Sequence, residues 1–235
     1  YTQDMPSRNI IKPYVQDGIY HLYNRGVEKR IIFLDHKDYT VFLRILKDAL
    51  SPPLDINTDR TSLLQGETFE LSKYVWRKKP KNFFSTVKLF GFCFVPNHIH
   101  LLVKQAELHA IKEFMQSILT RYSMYFNKRY KRTGSLFQNC YKGALVSDEP
   151  YLLALSRYIH RNGLSYAKNL TQAYSSYPYY LGLKHAPWID TATILSYFQS
   201  DPVTKTKHKD YRSFVEWETV DTILDGNLTL EDEEE

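Results

Sequence analysis

Between Gly91 and Lys104 the chain reads GFCFVPNHIHLLVK. Two apolar runs flank a Pro96-Asn97 turn, which predicts a β-hairpin with strands over roughly 86–95 and 98–104. Successive side chains on a strand point to opposite faces, so His98 and His100 share one face. The opposite face takes three apolar residues: Ile99, Leu101 and Val103. Two imidazoles on one rigid face can bind a single divalent cation, although hydrogen-bonded surface histidines would give the same pattern.

The charge of the chain is unevenly distributed. The formal net charge is +5, from 31 basic and 26 acidic residues. Nine of those acidic residues, and no Lys or Arg, lie between Glu216 and Glu235. Residues 1–215 therefore carry 31 basic against 17 acidic side chains, an excess of 14. Such an excess, interleaved with tyrosines, suits a polyanion such as nucleic acid, although a well-solvated basic surface would look the same.

The remaining elements follow from hydrophobic periodicity and from capping and turn residues. In chain order they are a strand at Ile19–Tyr23, a helix capped by Asp35 and ending near Leu50, the hairpin, a helix over about 107–129, a strand at Tyr141–Val146, and a helix capped by Ser147 and ending near Asn162. The order β-α-β-β-α-β, followed by a further helix, predicts an α+β fold. Its arrangement is ferredoxin-like or RRM-like, an antiparallel sheet with two helices on one face. The histidine pair then lies on the open face.

We divide the chain into three parts. Residues 15–165 form the main domain, with an insertion at about 51–84. Residues 166–230 form a C-terminal extension, with helices predicted around Asp190–Gln199 and Tyr211–Trp217. Residues 231–235 are acidic and predict a disordered tail.

Several classes of protein have no support in the sequence. Cys93 and Cys140 lie in apparent strands without C-x-x-C spacing, so we interpret both as buried, reduced core residues. This usage predicts a cytosolic protein. No apolar stretch approaches the roughly 18 residues of a membrane span, and no signal-peptide core is visible, so no membrane partner is expected. No G-x-G-x-x-G or phosphate-loop lysine motif supports a nucleotide cofactor.

A second constellation lies on the last predicted helix of the main domain. Tyr158 and Asn162 are four residues apart and share one helical face. A neighbouring apolar stripe could dock the helix on the sheet: Leu152, Leu155 and Ile159. Asn162 could then add an oxygen ligand beside the histidines, and Tyr158 could present its phenol to a phosphodiester. Both residues also have ordinary explanations, as a half-buried core tyrosine and a helix C-terminal Asn-Gly pair.

Eight basic residues are candidates for binding a nucleic-acid backbone. They are Arg25, Lys128, Arg129, Lys131, Arg132, Lys142, Arg157 and Arg161. Four of them follow one another closely at the end of the long helix. Cations there also stabilise the helix end through its dipole, so that cluster has an alternative explanation.

The joint pattern resembles a known family. PNHIHLLV at 96–103, taken with YIHRNG at 158–163, is similar to the single-tyrosine HUH transposases, which include insertion-sequence transposases and REP-associated tyrosine transposases. YHLYNRG at 20–26, RYSMYFN at 121–127 and GSLFQ at 134–138 resemble other parts of that family in the same order. The similarity covers roughly residues 15–165, so the resemblance implies that this part is a transposase-like catalytic domain. Gly163 stands where the REP-associated branch often has proline.

The resemblance implies roles for four residues. His98 and His100 would bind Mg²⁺ or Mn²⁺, Asn162 would complete the metal site, and Tyr158 would be the nucleophile that forms a 5′-phosphotyrosine. The implied substrate is single-stranded or hairpin DNA, REP-like or from an insertion-sequence end. The implied setting is a prokaryotic cytoplasm, in association with the nucleoid, and the implied assembly is a monomer or homodimer.

Two other functions remain open on the sequence. One is a DNA- or RNA-hairpin-binding protein of RRM-like fold that does not cut its ligand. The other is a metal-dependent phosphodiesterase in which water attacks and Tyr158 is structural.

Overall fold

A computed structural model of the protein describes residues 14–53, 80–199 and 208–217. Most of the predicted insertion (54–79) and the acidic tail (231–235) lie outside the described residues. The main helices and strands are β1 Ile19–Arg25, α1 His36–Leu50, β2 Val87–Val95, β3 His98–Gln105, α2 Ala110–Arg129, β4 Lys142–Leu145, α3 Glu149–Arg161, α4 Tyr177–Tyr180, α5 Ala192–Gln199 and α6 Tyr211–Glu216.

The four strands form one antiparallel sheet in the order β2-β3-β1-β4. This order and the β-α-β-β-α-β succession confirm the predicted α+β, ferredoxin-like arrangement. Strands β1 and β3 are central, and their register places Tyr23 opposite His100 and Arg25 opposite His98. Residues from two central strands therefore meet on each face of the sheet.

The two faces of the sheet carry separate cores. On one face, α1 and α2 cover the apolar side of β3, including Ile99, Leu101 and Val103, which are completely buried. On the other face, α3 packs on β2 and β3 through Leu155 and Ile159, which contact the cluster containing Leu102. The predicted alternation of β3 is confirmed. The expectation that the histidine face is open is wrong, because α3 packs on that face.

Residues after α3 border the outer edge of the sheet. Backbone hydrogen bonds join β2 to this segment at Phe94 N to Tyr174 O (2.8 Å), Ser176 N to Phe92 O (2.9 Å) and Asp190 N to Leu89 O (2.8 Å). The edge strand is thus shielded from pairing with another chain. Helix α6 packs on α3, where Tyr211 and Val215 join the same core.

Some local predictions were wrong. Helix α2 begins at Ala110 rather than 107, since His109 has a left-handed backbone (φ 68°). The N-cap of α3 is Asp148, whose carboxylate accepts from Tyr151 N at 2.8 Å, while the Ser147 hydroxyl donates to Asp148. Cys140 is exposed and outside the strands, because β4 begins only at Lys142.

No helix in residues 14–53, 80–199 and 208–217 is long and apolar enough to span a membrane.

Candidate active site

The face of the sheet beneath α3 gathers polar side chains from the two central strands. His98 and His100 project from β3, and their ring centroids lie 4.8 Å apart with perpendicular planes. Strand alternation brings His21, Tyr23 and Arg25 of β1 to the same face. His100 and His21 are almost completely buried, at 0% and 1% exposure, while His98 is half-buried. The predicted pairing of the two β3 histidines on one face is therefore present.

Hydrogen bonds orient both β3 histidines. His100 Nδ1 lies 2.8 Å from His21 Nε2, and His98 Nδ1 lies 2.7 Å from Asn97 Oδ1. The amide oxygen of Asn97 can only accept, so a neutral His98 that donates to it from Nδ1 has its lone pair on Nε2. His100 Nε2 is buried and has no hydrogen-bond partner among the described residues.

Burial keeps these imidazoles neutral. It lowers the pKa of His98 to about 4, with the nearby Arg25 charge adding to the effect. It lowers the pKa of His21 to about 3 and that of His100 well below its ordinary value, with the neighbouring histidines contributing. A neutral imidazole has one ring nitrogen with a free lone pair, so neither His98 nor His100 would have to lose a proton before it could act as a ligand at neutral pH.

Helix α3 brings Tyr158 and Asn162 to this face. The half-buried Tyr158 ring stands perpendicular to the His100 ring, with centroids 5.8 Å apart, and 6.2 Å from the His21 ring. Asn162 follows the last residue of the helix. Its side chain hydrogen-bonds to His98, which offsets a small part of the lowering of that histidine's pKa by burial and by Arg25. The docking of α3 on the sheet thus brings together all four residues singled out in the sequence.

The donor set fits a divalent cation. The orphaned Nε2 of His100 is the kind of buried polar atom that a metal would satisfy. Within the described ranges, no three His, Cys, Asp or Glu side chains are placed to hold a metal together. A cation at His98 and His100 would therefore take oxygen ligands from the Asn162 amide and from water or phosphate, which suits Mg²⁺ or Mn²⁺.

Only some of the predicted basic residues lie near this site. Arg25 is close enough to His98 and His100 to lower the pKa of both. Lys142 lies opposite Tyr23 in β4, with its Nζ 5.9 Å from the centre of that ring. These two cations flank the histidine face and could contact a phosphate there.

The basic residues of α3 are engaged elsewhere. Arg157 is 4% exposed and donates to the Trp217 carbonyl. Arg161 donates to the same carbonyl at 2.9 Å and to the Val215 carbonyl at 3.0 Å. Both guanidinium groups fasten the end of α6 to α3, so the structure does not bring them to the histidine face.

The basic cluster at the end of α2 lies across the sheet from the histidines. Arg129 forms ion pairs with Asp35 (2.5 Å) and Asp38 (2.6 Å) at the start of α1. Arg132 donates to Asn127 at 2.9 Å. These bonds hold α2 to α1 and close its C-terminal turn. The cluster also includes Lys128 and Lys131.

Sequence reasoning missed His21 and Tyr23. The stretch Tyr20–Gly26 was matched to the family's first strand, but no role was given to its side chains. Period-two alternation would have placed Arg25, Tyr23 and His21 on one face. Only the pairing of β1 beside β3 shows that this is the histidine face.

These features describe a class of protein, one with a histidine pair and a helix-borne tyrosine on a ferredoxin-like sheet. Residues 56–162 match the family described as IS200-like transposases. The matched 107 residues are a little under half of the 235-residue chain, and they include His98, His100, Tyr158 and Asn162. The match confirms the family resemblance that the sequence indicated.

A solved structure described as a REP-associated tyrosine transposase bound to a REP hairpin is also similar. The TM-score is 0.49 and the identity is 11%, over 78% of this chain and 90% of that chain. No curated protein matches the chain significantly.

Proposed function

We propose that the protein cleaves and rejoins single-stranded DNA through a covalent tyrosine intermediate and depends on a divalent metal ion. The observation that carries this proposal is the placement of the Tyr158 ring 5.8 Å from His100, whose buried Nε2 has no hydrogen-bond partner in the described parts of the chain. Metal-assisted phosphoryl transfer needs a nucleophile, here a tyrosine hydroxyl, next to a ring nitrogen that can coordinate the cation. The IS200-like family match supports the same reaction class.

The proposed substrate is a DNA strand that contains or adjoins a hairpin, as the family resemblance implies. The basic excess of residues 1–215 supports a polyanionic partner. Arg25 and Lys142 flank the site, where they can contact the phosphates on either side of the cleaved bond.

Each side chain has a separate task in this proposal. His98 and His100 offer ring nitrogens, and Asn162 offers its amide oxygen, to Mg²⁺ or Mn²⁺. When bound, the cation supplies charge neutralisation and alignment of the phosphodiester. Arg25 adds a fixed positive charge beside the same phosphate. The packing of Leu155 and Ile159 holds α3 on the sheet and so keeps the Tyr158 ring beside the His100 ring.

Cleavage is a substitution at phosphorus. The Tyr158 oxygen forms a bond to phosphorus, and the bond between phosphorus and the 3′ oxygen breaks. The phenol proton passes to water, and the departing 3′ oxygen gains a proton, which leaves a 5′-phosphotyrosine and a free 3′-OH. Because the phosphotyrosine bond replaces the phosphodiester bond, a 3′-OH can attack it in reverse and rejoin strands without ATP.

The first prediction tests the nucleophile. Tyr158→Phe removes one oxygen from a half-buried ring, so we expect a folded protein that still binds hairpin DNA but forms no covalent adduct. A denaturing gel of the protein with labelled hairpin DNA and Mn²⁺ measures this. Tyr166→Phe is the control, because Tyr166 is 56% exposed just beyond α3 and should retain the adduct.

Mass spectrometry of the trapped wild-type adduct should find the nucleotide on the peptide that contains Tyr158. An adduct on another tyrosine, or one that persists in Tyr158→Phe, would contradict the assignment. Cleavage without any adduct would favour attack by water, and binding without cleavage would favour a non-catalytic hairpin-binding protein.

A further inference from the structure

His21 forms a buried hydrogen-bonded pair with His100 between the sheet and α3. It lies on β1, opposite Leu102 and diagonal to His100 on β3. The two ring planes are within 11° of each other, and the facing nitrogens, His21 Nε2 and His100 Nδ1, are 2.8 Å apart. Both rings are buried, at 1% and 0% exposure. This short bond is sequestered from water, so exactly one of the two nitrogens must carry the shared proton.

The position of the shared proton decides whether the other nitrogen of His100, Nε2, has a lone pair. Among the described residues, neither His21 Nδ1 nor His100 Nε2 has a hydrogen-bond partner. When the shared proton is on His100 Nδ1, a neutral His100 presents a lone pair at Nε2. When the proton is on His21 Nε2, a neutral His100 presents an N–H there instead, and no cation can bind. The two proton arrangements therefore correspond to a competent and an incompetent metal ligand.

We propose that His21 is the positioning residue of the metal site: it accepts the Nδ1 proton of His100 and so holds that ring in the tautomer and orientation that bind the cation. This role rests on the proposed function only in placing a cation at His98 and His100. The second partner of a metal-bound histidine is usually a carboxylate, carbonyl or water. Here a neutral imidazole takes that position, which avoids a buried negative charge.

His98 is oriented by a different group. Its Nδ1 faces the Asn97 amide oxygen at 2.7 Å in the adjacent turn. The amide oxygen accepts only, so this contact favours the His98 tautomer that carries its proton on Nδ1. His100 has no such fixed acceptor, since its partner can also donate. Loss of His21 should therefore affect His100 alone.

The second prediction compares metal affinity in the full chain without DNA. His21→Ala leaves a buried Nδ1–H of His100 without an acceptor, so we expect Mn²⁺ affinity to fall about 10–100-fold. His21→Gln places an amide oxygen where Nε2 stood and should restore most of the affinity. Electron paramagnetic resonance of free Mn²⁺ during titration measures both. His160→Gln is the matched control, because His160 is as buried as His21, at 1% exposure, but hydrogen-bonds to Ser176 and Tyr211 rather than to the site.

Nitrogen-15 NMR of histidine-labelled protein with Mg²⁺ adds a readout independent of affinity and activity. We expect the His100 signals, assigned by their loss in His100→Gln, to show a protonated Nδ1 and an unprotonated Nε2. A proton on Nε2 would overturn the proposal, as would equal Mn²⁺ affinity in wild type and His21→Ala. A wild-type protein that binds no Mn²⁺ would overturn the metal site together with the role of His21. A failed adduct in the tyrosine experiment would leave the Mn²⁺ result standing.

Discussion

Helix α3 has a buried histidine cluster on each of two sides, and the two clusters are built differently. On one side, His160 Nε2 lies 2.7 Å from Ser176 Oγ, and its Nδ1 lies 2.8 Å from the Tyr211 hydroxyl. On the other side, beneath Tyr158, His100 has a partner at Nδ1 only. Both histidines are at most 1% exposed, and burial lowers the pKa of each far below its ordinary value.

The comparison shows that burial and a lowered pKa do not by themselves identify a functional histidine. Both clusters have them. The difference is hydrogen-bond satisfaction: the His160 cluster uses both ring nitrogens to join α3 to the Ser176 turn and to α6. A buried polar atom left without a partner costs about 1–3 kcal/mol, and at His100 Nε2 a bound cation would offset that cost.

The third prediction concerns the removal of His100 from the cluster beneath Tyr158. His100→Ala removes the orphaned nitrogen, so we expect hairpin-DNA cleavage to fall to background, at least about 1000-fold, which corresponds to roughly 4 kcal/mol in the barrier. Hairpin binding should weaken only modestly, because Arg25 and Lys142 remain. Single-turnover cleavage in Mn²⁺ measures the effect, with circular dichroism to verify folding. Wild-type cleavage by this variant would remove the basis of the metal assignment.

The fourth prediction concerns the removal of His160 from its cluster with Ser176 and Tyr211. His160→Ala leaves a cavity and removes hydrogen bonds to Ser176 and Tyr211, so the free energy of unfolding should fall by about 2–4 kcal/mol. Cleavage per folded molecule should change little below the melting temperature, because His160 faces away from the histidine pair. Urea unfolding at pH 8 measures the stability. A stable variant with lost cleavage would reverse the roles we assign to the two clusters.

The fifth prediction concerns the pH dependence of the free energy of unfolding. One buried histidine from each cluster contributes, and each contribution is smaller than the effects above. The pKa of His160 is lowered to about 3 in the folded protein, against an ordinary value of 6.5, so the unfolded state binds a proton first as pH falls. Its stabilising contribution is complete above about pH 7 and declines from pH 6.5 towards 3. The slope approaches about 1.4 kcal/mol per pH unit for each such histidine once the pH is well below 6.5.

Urea midpoints of the metal-free protein between pH 8 and 4.5 test this. His160→Gln should show a shallower decline than the wild type, by the contribution of one histidine. His21→Gln should behave similarly, because burial also lowers the pKa of His21 to about 3. An identical decline in the wild type and in both variants would show that these histidines do not stay neutral in the folded state.

Much of the site follows from local periodicity. The period of two in HIHLLV placed His98 and His100 on one face, and the spacing of four placed Asn162 above Tyr158 on α3. These predictions depend only on backbone geometry, which the sequence pattern reports directly. The contacts that sequence reasoning missed connect residues far apart in the chain, such as His21 with His100 and Arg157 with Trp217.

Gly163 illustrates the same limit. The sequence shows only that a glycine follows Asn162. In the structure, a Cβ at this position would lie 2.5 Å from the Ala173 Cβ and 3.5 Å from Cys93 Sγ. The end of α3 approaches the following turn too closely for a larger residue. That approach depends on how the segment after α3 folds back along β2.

The sequence by itself determined the order of strands and helices, the two faces of the hairpin, the tyrosine helix and the family resemblance. Each of these features depends on residue spacing within a single helix or strand, or on a contiguous sequence motif. Tertiary structure decided which basic residues face the histidines, which histidine is fully bonded, and that His21 is the partner of His100. Those outcomes depend on strand register and helix docking, where a hydrogen bond requires atoms within about 3 Å. Such distances between residues far apart in the chain cannot be inferred from residue types and their local spacing.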